Sequence, residues 1–85
     1  MALELEIVSP DRIVLSKPVE MVVLPGAEGE LGVLVDHAPM VVMLQPGTIR
    51  VTEDGKVTDE IAVDGGFAEI TGARVTVLVS GAPAA

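Results

Sequence analysis

The sequence predicts an all-β fold, and three observations support this prediction. Val, Ile and Thr, the β-branched residues that favour an extended backbone, make up 25 of the 85 residues. Turn signals built from Gly, Pro and Asp recur roughly every eight to twelve residues. No long stretch carries the apolar period of a helix. Together these features predict a single small domain folded as a β-sandwich or a flattened barrel.

The N-terminal part of the chain is predicted to form three strands. Residues 3–7 alternate leucine or isoleucine with glutamate, which is the period of a strand with one buried and one solvated face. A turn at residues 9–11 separates them from two further strands, residues 12–16 and 20–24. The boundary between those two is placed at Pro18, because proline cannot donate a hydrogen bond to a strand ladder.

A glycine-rich segment follows these strands. Gly26, Gly29 and Gly32 recur at every third residue around Glu28 and Glu30. Glycine adopts backbone angles that other residues avoid, so this spacing predicts an ordered loop instead of a regular strand. A phosphate-binding interpretation is disfavoured, because the segment lacks the lysine of a P-loop and places two glutamates where an anion would bind.

The next predicted strand, residues 40–44, is apolar on both faces. This pattern fits a strand that is buried on both sides or one whose outer face is covered by another subunit, and the sequence leaves both alternatives open. A hairpin is predicted over residues 48–63, since Asp54 and Gly55 suit the type I′ turn that joins two antiparallel strands.

The last predicted strands are residues 67–71 and 74–80, where valines at alternate positions share one face. We expect the domain to span residues 1–81. Residues 82–85, an alanine and proline sequence with no apolar pattern, are predicted to form a flexible tail.

The composition offers little catalytic chemistry. The chain has no cysteine and a single histidine, His37, so neither a thiolate site nor a histidine metal triad is available. No serine lies in a nucleophile elbow. Glu28, Glu30 and Asp36 could coordinate a hard cation, but their spacing matches no known loop. We therefore expect a protein with no catalytic site, no metal and no cofactor.

Charge and aromatic content indicate a protein partner. The formal net charge of -8 repels the phosphate backbone of nucleic acids and anionic lipids. Phe67 is the only aromatic residue, so stacking surfaces for bases or sugars are missing. The acidic N-terminus does not resemble an export signal, and no apolar run approaches the roughly 18 residues that span a bilayer. We expect contacts with proteins, and neither nucleic acid nor a small-molecule substrate.

Several motifs resemble the signature of epsilon subunits of F-type ATP synthases. They are Val-Leu-Pro-Gly-Ala-Glu-Gly-Glu-Leu-Gly-Val at 23–33, His-Ala-Pro-Met at 37–40, Leu-Gln-Pro-Gly at 44–47 and Val-Asp-Gly-Gly-Phe-Ala-Glu-Ile at 63–70. The resemblance implies a flattened ten-stranded β-sandwich in the central stalk, a rotor subunit that binds the gamma subunit and the c-subunit ring. It implies coupling of proton translocation to ATP synthesis, and a peripheral position at the cytoplasmic face of the bacterial inner membrane.

The resemblance also implies where the partners bind. The residues that match the family's contact with the c ring are Glu28, Gly29, Glu30 and Leu31 on one loop, and His37, Ala38 and Pro39 on the adjoining loop. For the gamma subunit the candidates are Val41, Val42 and Met43, which are chosen for their surplus hydrophobicity and not for a residue match. Val35 and Asp36 replace the Pro-Gly that the family often carries before His-Ala-Pro, so the shape of this turn is expected to differ.

Two further expectations concern function. Family members usually continue into two helices that can restrain ATP hydrolysis, whereas this sequence stops at Ala85, so we expect coupling without inhibition by that route. The main alternative is a free-standing β-sandwich module that binds another protein, because a fold alone does not determine function. An enzyme would instead need a cleft in which His37 or the loop carboxylates have perturbed pKa values.

Overall fold

The computed structural model describes residues 2–80, and it confirms the all-β prediction. These residues form nine strands, where the family resemblance implied ten. The strands are β1 (Leu3–Ser9), β2 (Arg12–Val19), β3 (Met21–Gly26), β4 (Gly29–Leu34), β5 (His37–Leu44), β6 (Gly47–Glu53), β7 (Lys56–Val63), β8 (Gly66–Gly72) and β9 (Arg74–Val79). The predicted tail, 82–85, and the first and last residues of the predicted domain, 1 and 81, lie outside the described residues. Within 2–80 no helix is long and apolar enough to cross a membrane.

All nine strands belong to one sheet with the order β2-β1-β9-β8-β5-β3-β6-β7, and β4 pairs with β3 beside this path. The pairing of β1 with β9 is parallel, and the other pairings are antiparallel. The sheet curls back on itself, because the Glu20 amide just after β2 donates to the Thr52 carbonyl of β6 at 3.1 Å. The result is a flattened sandwich with one interior.

The interior is filled by the alternate residues of the strands, as the period-2 patterns predicted. In β1 the buried apolar residues are Leu3, Leu5 and Ile7, and in β9 they are the three valines at 75, 77 and 79. The other buried apolar residues are Val19, Val22, Leu24, Val33, Leu44, Ile49, Val51, Val63, Ala68 and Ile70. Burial of each leucine, isoleucine or valine side chain contributes about 1.5–3 kcal/mol to folding, so aliphatic packing holds the domain together.

The glycine segment, 26–32, was predicted to be a non-strand loop. This prediction is wrong at Gly26, which ends β3, and for residues 29–32, which belong to β4. A two-residue turn at 27–28 joins β3 to β4, and Gly26 is opposite Gly29 in the register. A Cβ at Gly26 would lie 2.6 Å from the Gly29 carbonyl oxygen. The glycines therefore allow a tight hairpin, in which two backbones approach closely, and do not interrupt the strands.

The prediction that His37, Ala38 and Pro39 lie in a loop is also wrong, because they begin β5. The turn before them contains Asp36, which has a φ of 68° and whose amide donates to the Gly72 carbonyl at 2.9 Å. A register shift between His37 and Met40 accommodates the proline within the ladder. The aspartate takes the left-handed conformation at the position where the family often has glycine.

The predicted hairpin turn between β6 and β7 is confirmed. Asp54 and Gly55 have φ values of 53° and 76°, and two consecutive positive values are the mark of a type I′ turn. The Gly55 amide donates to Glu20 Oε1 at 3.1 Å, which ties the turn to the end of β2. Asp-Gly is favoured here because both residues tolerate the left-handed region.

A cluster of charged side chains connects β2, at one end of the strand order, with β6 and β7, at the other end. Lys17 Nζ of β2 lies 2.6 Å from Glu53 Oε2 of β6 and 2.6 Å from Asp59 Oδ2 of β7. The Thr58 hydroxyl lies 3.0 Å from Glu53 Oε2 and 3.2 Å from Asp59 Oδ2, so it can donate its one hydrogen to either carboxylate. Hydrogen bonds from Lys17 lower the pKa of Glu53 below 4.5 and that of Asp59 below 3.8. The hydrogen bonds to Asp59 and then Glu53 raise the pKa of Lys17 above 10.5.

We expect the stabilisation by this charge cluster to disappear in acid. A carboxylate with a lowered pKa stabilises the folded state above its unfolded pKa, and this contribution is lost as pH falls through the folded value. Because the folded-state pKa of Lys17 is raised, the stabilisation by its positive charge is lost only as pH rises through that folded-state pKa. The difference in unfolding free energy between wild type and Lys17→Met should therefore be constant from about pH 5 to 10 and shrink below about pH 4.

Urea unfolding across this pH range measures the difference. Lys56→Met is the matched control, because Lys56 is exposed on β7 and belongs to none of the ion pairs in residues 2–80. This control should show little difference from wild type at any pH. A Lys17→Met difference that stays the same down to pH 3 would contradict the assignment of the stabilisation to the two carboxylates.

Candidate docking surfaces

The β3–β4 turn and the second half of β5 form the two walls of a groove of about 390 Å³. Residues 26–31 line one side and residues 40–43 line the other. The Ala27 amide donates to the Met43 carbonyl at 2.8 Å, and the Gln45 side chain donates to the Gly26 carbonyl at 2.9 Å. These bonds hold the glycine-rich turn against β5, so the groove is part of the folded framework.

Four residues predicted to contact the c ring lie on this turn and on the start of β4. Glu28, Gly29 and Glu30 are exposed, whereas Leu31 is half-buried and packs against the core. Arg50 Nη2 of β6 donates to Glu30 Oε2 at 2.8 Å, so the charge of Glu30 already has a partner. Glu28 takes part in none of the ion pairs in residues 2–80, and it supplies the uncompensated negative charge of the turn.

The other predicted c-ring residues are not part of the groove. His37, Ala38 and Pro39 begin β5, and the groove is lined only from Met40 onward. His37 Nδ1 lies 2.9 Å from the Ala38 carbonyl oxygen. The structure therefore separates the predicted c-ring residues into two groups, one on the β3–β4 turn and one at the N-terminal end of β5.

The residues predicted to contact gamma point to both sides of β5. Val41 and Met43 are on the outer face, with 62% and 63% of their surface exposed. Val42 is half-buried and packs against the core. The sequence left open whether β5 is buried on both faces or has an outer face that another subunit covers. In this chain one face of β5 is buried and the other is exposed.

Sequence reasoning missed how far this bare face extends. Met43 is opposite Phe67 on β8, Phe67 is opposite Leu78 on β9, Leu78 is opposite Val8 on β1, and Val8 is opposite Ile13 on β2. Directly opposed residues share a face of a sheet. We call these five residues the outer apolar row. The alternation of inward-facing and outward-facing residues could be predicted within each strand, but the order of the strands in the sheet could not.

Residues 2–80 contain no group of three or more His, Asp or Glu side chains placed to hold a metal ion. At the sheet edge, hydrogen bonds from Lys17 lower the pKa values of Glu53 and Asp59. The features that residues 2–80 offer to a partner are the groove and the exposed face of β5.

Comparison with known proteins agrees with this geometry. The model of the family described as ATP synthase, Delta/Epsilon chain, beta-sandwich domain matches residues 2–85. The chain belongs to this family. Among curated members, the ATP synthase epsilon chain of Granulibacter bethesdensis is 65% identical over 74 residues, which cover 87% of this chain and 55% of that protein. The epsilon chain of Paramagnetospirillum magneticum is 47% identical over 76 residues, covering 89% and 57%.

Solved ATP synthase structures share the delta/epsilon β-sandwich fold. A chain of the Euglena gracilis mitochondrial ATP synthase, determined as an OSCP/F1/c-ring assembly, has a TM-score of 0.88 and 30% identity over 96% of this chain and 52% of that one. A chain of the Tetrahymena thermophila central stalk and c-ring assembly has a TM-score of 0.79 at 15% identity over 98% and 66%, which is a likeness of fold alone. The chain spans about half the length of the curated relatives it matches.

Proposed function

We propose that this chain is the β-sandwich part of an ATP synthase epsilon subunit, a non-catalytic rotor component. It binds the gamma subunit and the c-subunit ring, and it couples proton translocation to ATP synthesis. The observation that carries the proposal is the 65% identity to an ATP synthase epsilon chain over 74 residues. As part of that complex it lies at the cytoplasmic face of the bacterial inner membrane, peripheral to the bilayer. No cofactor is required for this role.

The proposed contact with gamma is the outer face of β5. Val41 and Met43 expose apolar side chains to water there, and covering them by a partner is favourable in proportion to the area buried. Val42 supports this strand from the inside, since it packs against the core. An apolar patch that is fixed on a rigid sheet loses little conformational entropy on binding.

The proposed contact with the c ring is the exposed turn from Glu28 to Glu30, followed by Leu31. Its negative charge complements basic side chains on a partner, and such charges guide orientation and association rate more than they add affinity. His37, Ala38 and Pro39, at the N-terminal end of β5, form a second proposed contact. The Glu28 turn and the outer face of β5 line opposite sides of one groove, so the proposed c-ring and gamma contacts adjoin each other, and variants on each side test them separately.

Met43→Asp is expected to weaken the complex with gamma strongly. A stable complex should form when this protein and its cognate gamma subunit are mixed and passed over a sizing column. An aspartate in the centre of an apolar contact must be desolvated on binding, so the affinity should fall about a hundredfold, which is about 2.7 kcal/mol. Isothermal titration then gives the affinity of each variant.

Glu28→Lys is the control for this experiment. It reverses a charge on the turn that is assigned to the c ring, so it should leave gamma binding unchanged and weaken binding to detergent-solubilised c ring. If folded wild-type protein forms no complex with gamma, the free-standing β-sandwich module becomes the better interpretation. Loss of gamma binding in both variants would mean that the two contacts are not separate.

A further inference from the structure

We propose that Arg50 is a positioning residue for the c-ring contact. It holds the Glu30 carboxylate in one orientation on the exposed turn, so that the second oxygen of that carboxylate accepts a hydrogen bond from a basic side chain of the ring. This role rests on the proposed function. It assigns part of the contact to a residue of β6 that lies outside the turn itself.

Arg50 reaches Glu30 across an intervening strand. Val23 of β3 is opposite Arg50 of β6 on one side and opposite Gly32 of β4 on the other, and directly opposed residues share a face of a sheet. Glu30, two residues before Gly32, is on that same face. Neighbouring strands lie about 4.8 Å apart, so the two side chains together span roughly 10 Å of sheet. Because Gly32 has no side chain, this path is open, and at its end Arg50 Nη2 donates to Glu30 Oε2 at 2.8 Å.

A nearer carboxylate is not used. Glu60 of β7 is directly opposite Arg50, which is the usual place for the partner of a charged strand residue. The ion pair that Arg50 forms within residues 2–80 is nevertheless with Glu30. Exposed ion pairs contribute little to folding stability, and the Arg50 and Glu30 side chains are 36% and 59% exposed. The pair therefore affects the turn more than the stability of the sheet.

The Glu30 side chain is the part of the contact that still needs to be ordered. The hydrogen bonds of Ala27 and Gln45 already fix the backbone of the turn against β5. A partner that binds an exposed glutamate must otherwise restrict its side-chain rotations on binding, and this ordering reduces the affinity. Because Arg50 orders the carboxylate in the free chain, the partner meets it in one orientation.

The carboxylate of Glu30 keeps one oxygen for the partner. Its Oε2 accepts the hydrogen bond from Arg50, and within residues 2–80 its Oε1 accepts none. Both oxygens of a carboxylate are acceptors, so a lysine or arginine of the ring can bind Oε1 without displacing Arg50. Glu28 belongs to none of the ion pairs in this range. The charge of Glu28 attracts the ring, and Glu30 supplies a fixed acceptor.

Arg50→Met tests this role through two rate constants. Its dissociation from the cognate, detergent-solubilised c ring should be roughly threefold to tenfold faster than that of wild type, because the ring must now order Glu30. Its association should be slightly faster, because the loss of a positive charge makes the turn more negative. Surface plasmon resonance on immobilised ring measures both rates. A partly unfolded variant would instead associate more slowly, and circular dichroism confirms folding.

Three further variants separate positioning from a general effect of charge. Arg50→Lys keeps a donor and the charge, so it should restore most of the slow dissociation. Glu60→Gln is the matched control, because it removes a carboxylate opposite Arg50 that belongs to none of the ion pairs in residues 2–80. Its dissociation should equal that of wild type. In a Glu30→Gln background, Arg50→Met should not accelerate dissociation further, because the two residues act as one unit.

The outcomes separate the positioning role from the proposed function. If Glu28→Lys weakens binding to the ring but Arg50→Met dissociates as slowly as wild type, the c-ring contact stands and the role of Arg50 is wrong. If wild type does not bind the ring, the proposed contact fails and the role of Arg50 fails with it. Equal acceleration by Arg50→Met in the wild-type and Glu30→Gln backgrounds would also overturn the role, because Arg50 would then act independently of Glu30.

Discussion

Gly66→Ala is expected to destabilise the domain severely, whereas Gly29→Ala should be tolerated much better. Both glycines have nearly the same φ, 134° and 133°, in the region that side chains rarely adopt. A Cβ at Gly66 would lie 2.1 Å from the Leu78 carbonyl oxygen and 2.9 Å from the Val79 Cα. At Gly29 it would meet no atom within 4 Å. Gly29→Ala therefore introduces backbone strain alone, whereas Gly66→Ala introduces both backbone strain and steric overlap.

The magnitudes follow from these two terms. Backbone strain costs on the order of 1–3 kcal/mol in each variant. Overlap with the backbone of β9 adds roughly 1–3 kcal/mol more at Gly66 alone, because that strand is held on both sides by its neighbours. Urea unfolding monitored by circular dichroism should show a clearly lower midpoint for Gly66→Ala than for Gly29→Ala. Equal losses would mean that β8 and β9 do not approach as closely as the structure shows.

Leu5→Ala is expected to cost about 2–5 kcal/mol of unfolding free energy. Leu5 is 1% exposed and lies in the middle of β1, with β2 on one side and β9 on the other. Removal of its side chain leaves a cavity that the rigid strands cannot fill. A domain of this size has a total stability of roughly 4–13 kcal/mol, so the loss is a large fraction of the whole.

Leu34→Ala provides the matched control for this change. It removes the same atoms from a side chain that is 53% exposed at the end of β4, so it should cost less than about 0.5 kcal/mol. The unfolding midpoints of both variants are compared at one pH and one salt concentration. Similar midpoints would show that β1 is not part of the packed interior.

Some elements could be predicted from the sequence because their causes are local. The alternation in residues 3–7 marks the buried face of β1, and Asp54 with Gly55 specifies the turn between β6 and β7. The glycine segment was misread for an equally local reason. Three glycines in seven residues are typical of an irregular loop, and only the close approach of Gly26 to Gly29 shows that they serve a hairpin.

The candidate contact residues were predictable only in part. Exposed glutamates on a tight turn can be read from the chain, but the pairing of Glu30 with Arg50, 20 residues away, cannot. The same holds for β5, whose two apolar faces looked alike in the sequence. In the structure the Val42 side chain packs against the core, and Val41 and Met43 are left exposed.

The sequence by itself determined the all-β class, the buried positions of most strands and the chemistry of the turns, because side-chain alternation and turn conformation depend on neighbouring residues. Only the tertiary structure decided which strands are adjacent. Leu5 is opposite Val75 in a parallel pair between the two ends of the chain, and this choice depends on the packing of the whole interior. The outer apolar row exists because of that order. Its five residues are scattered in the sequence, and they form one surface only after folding.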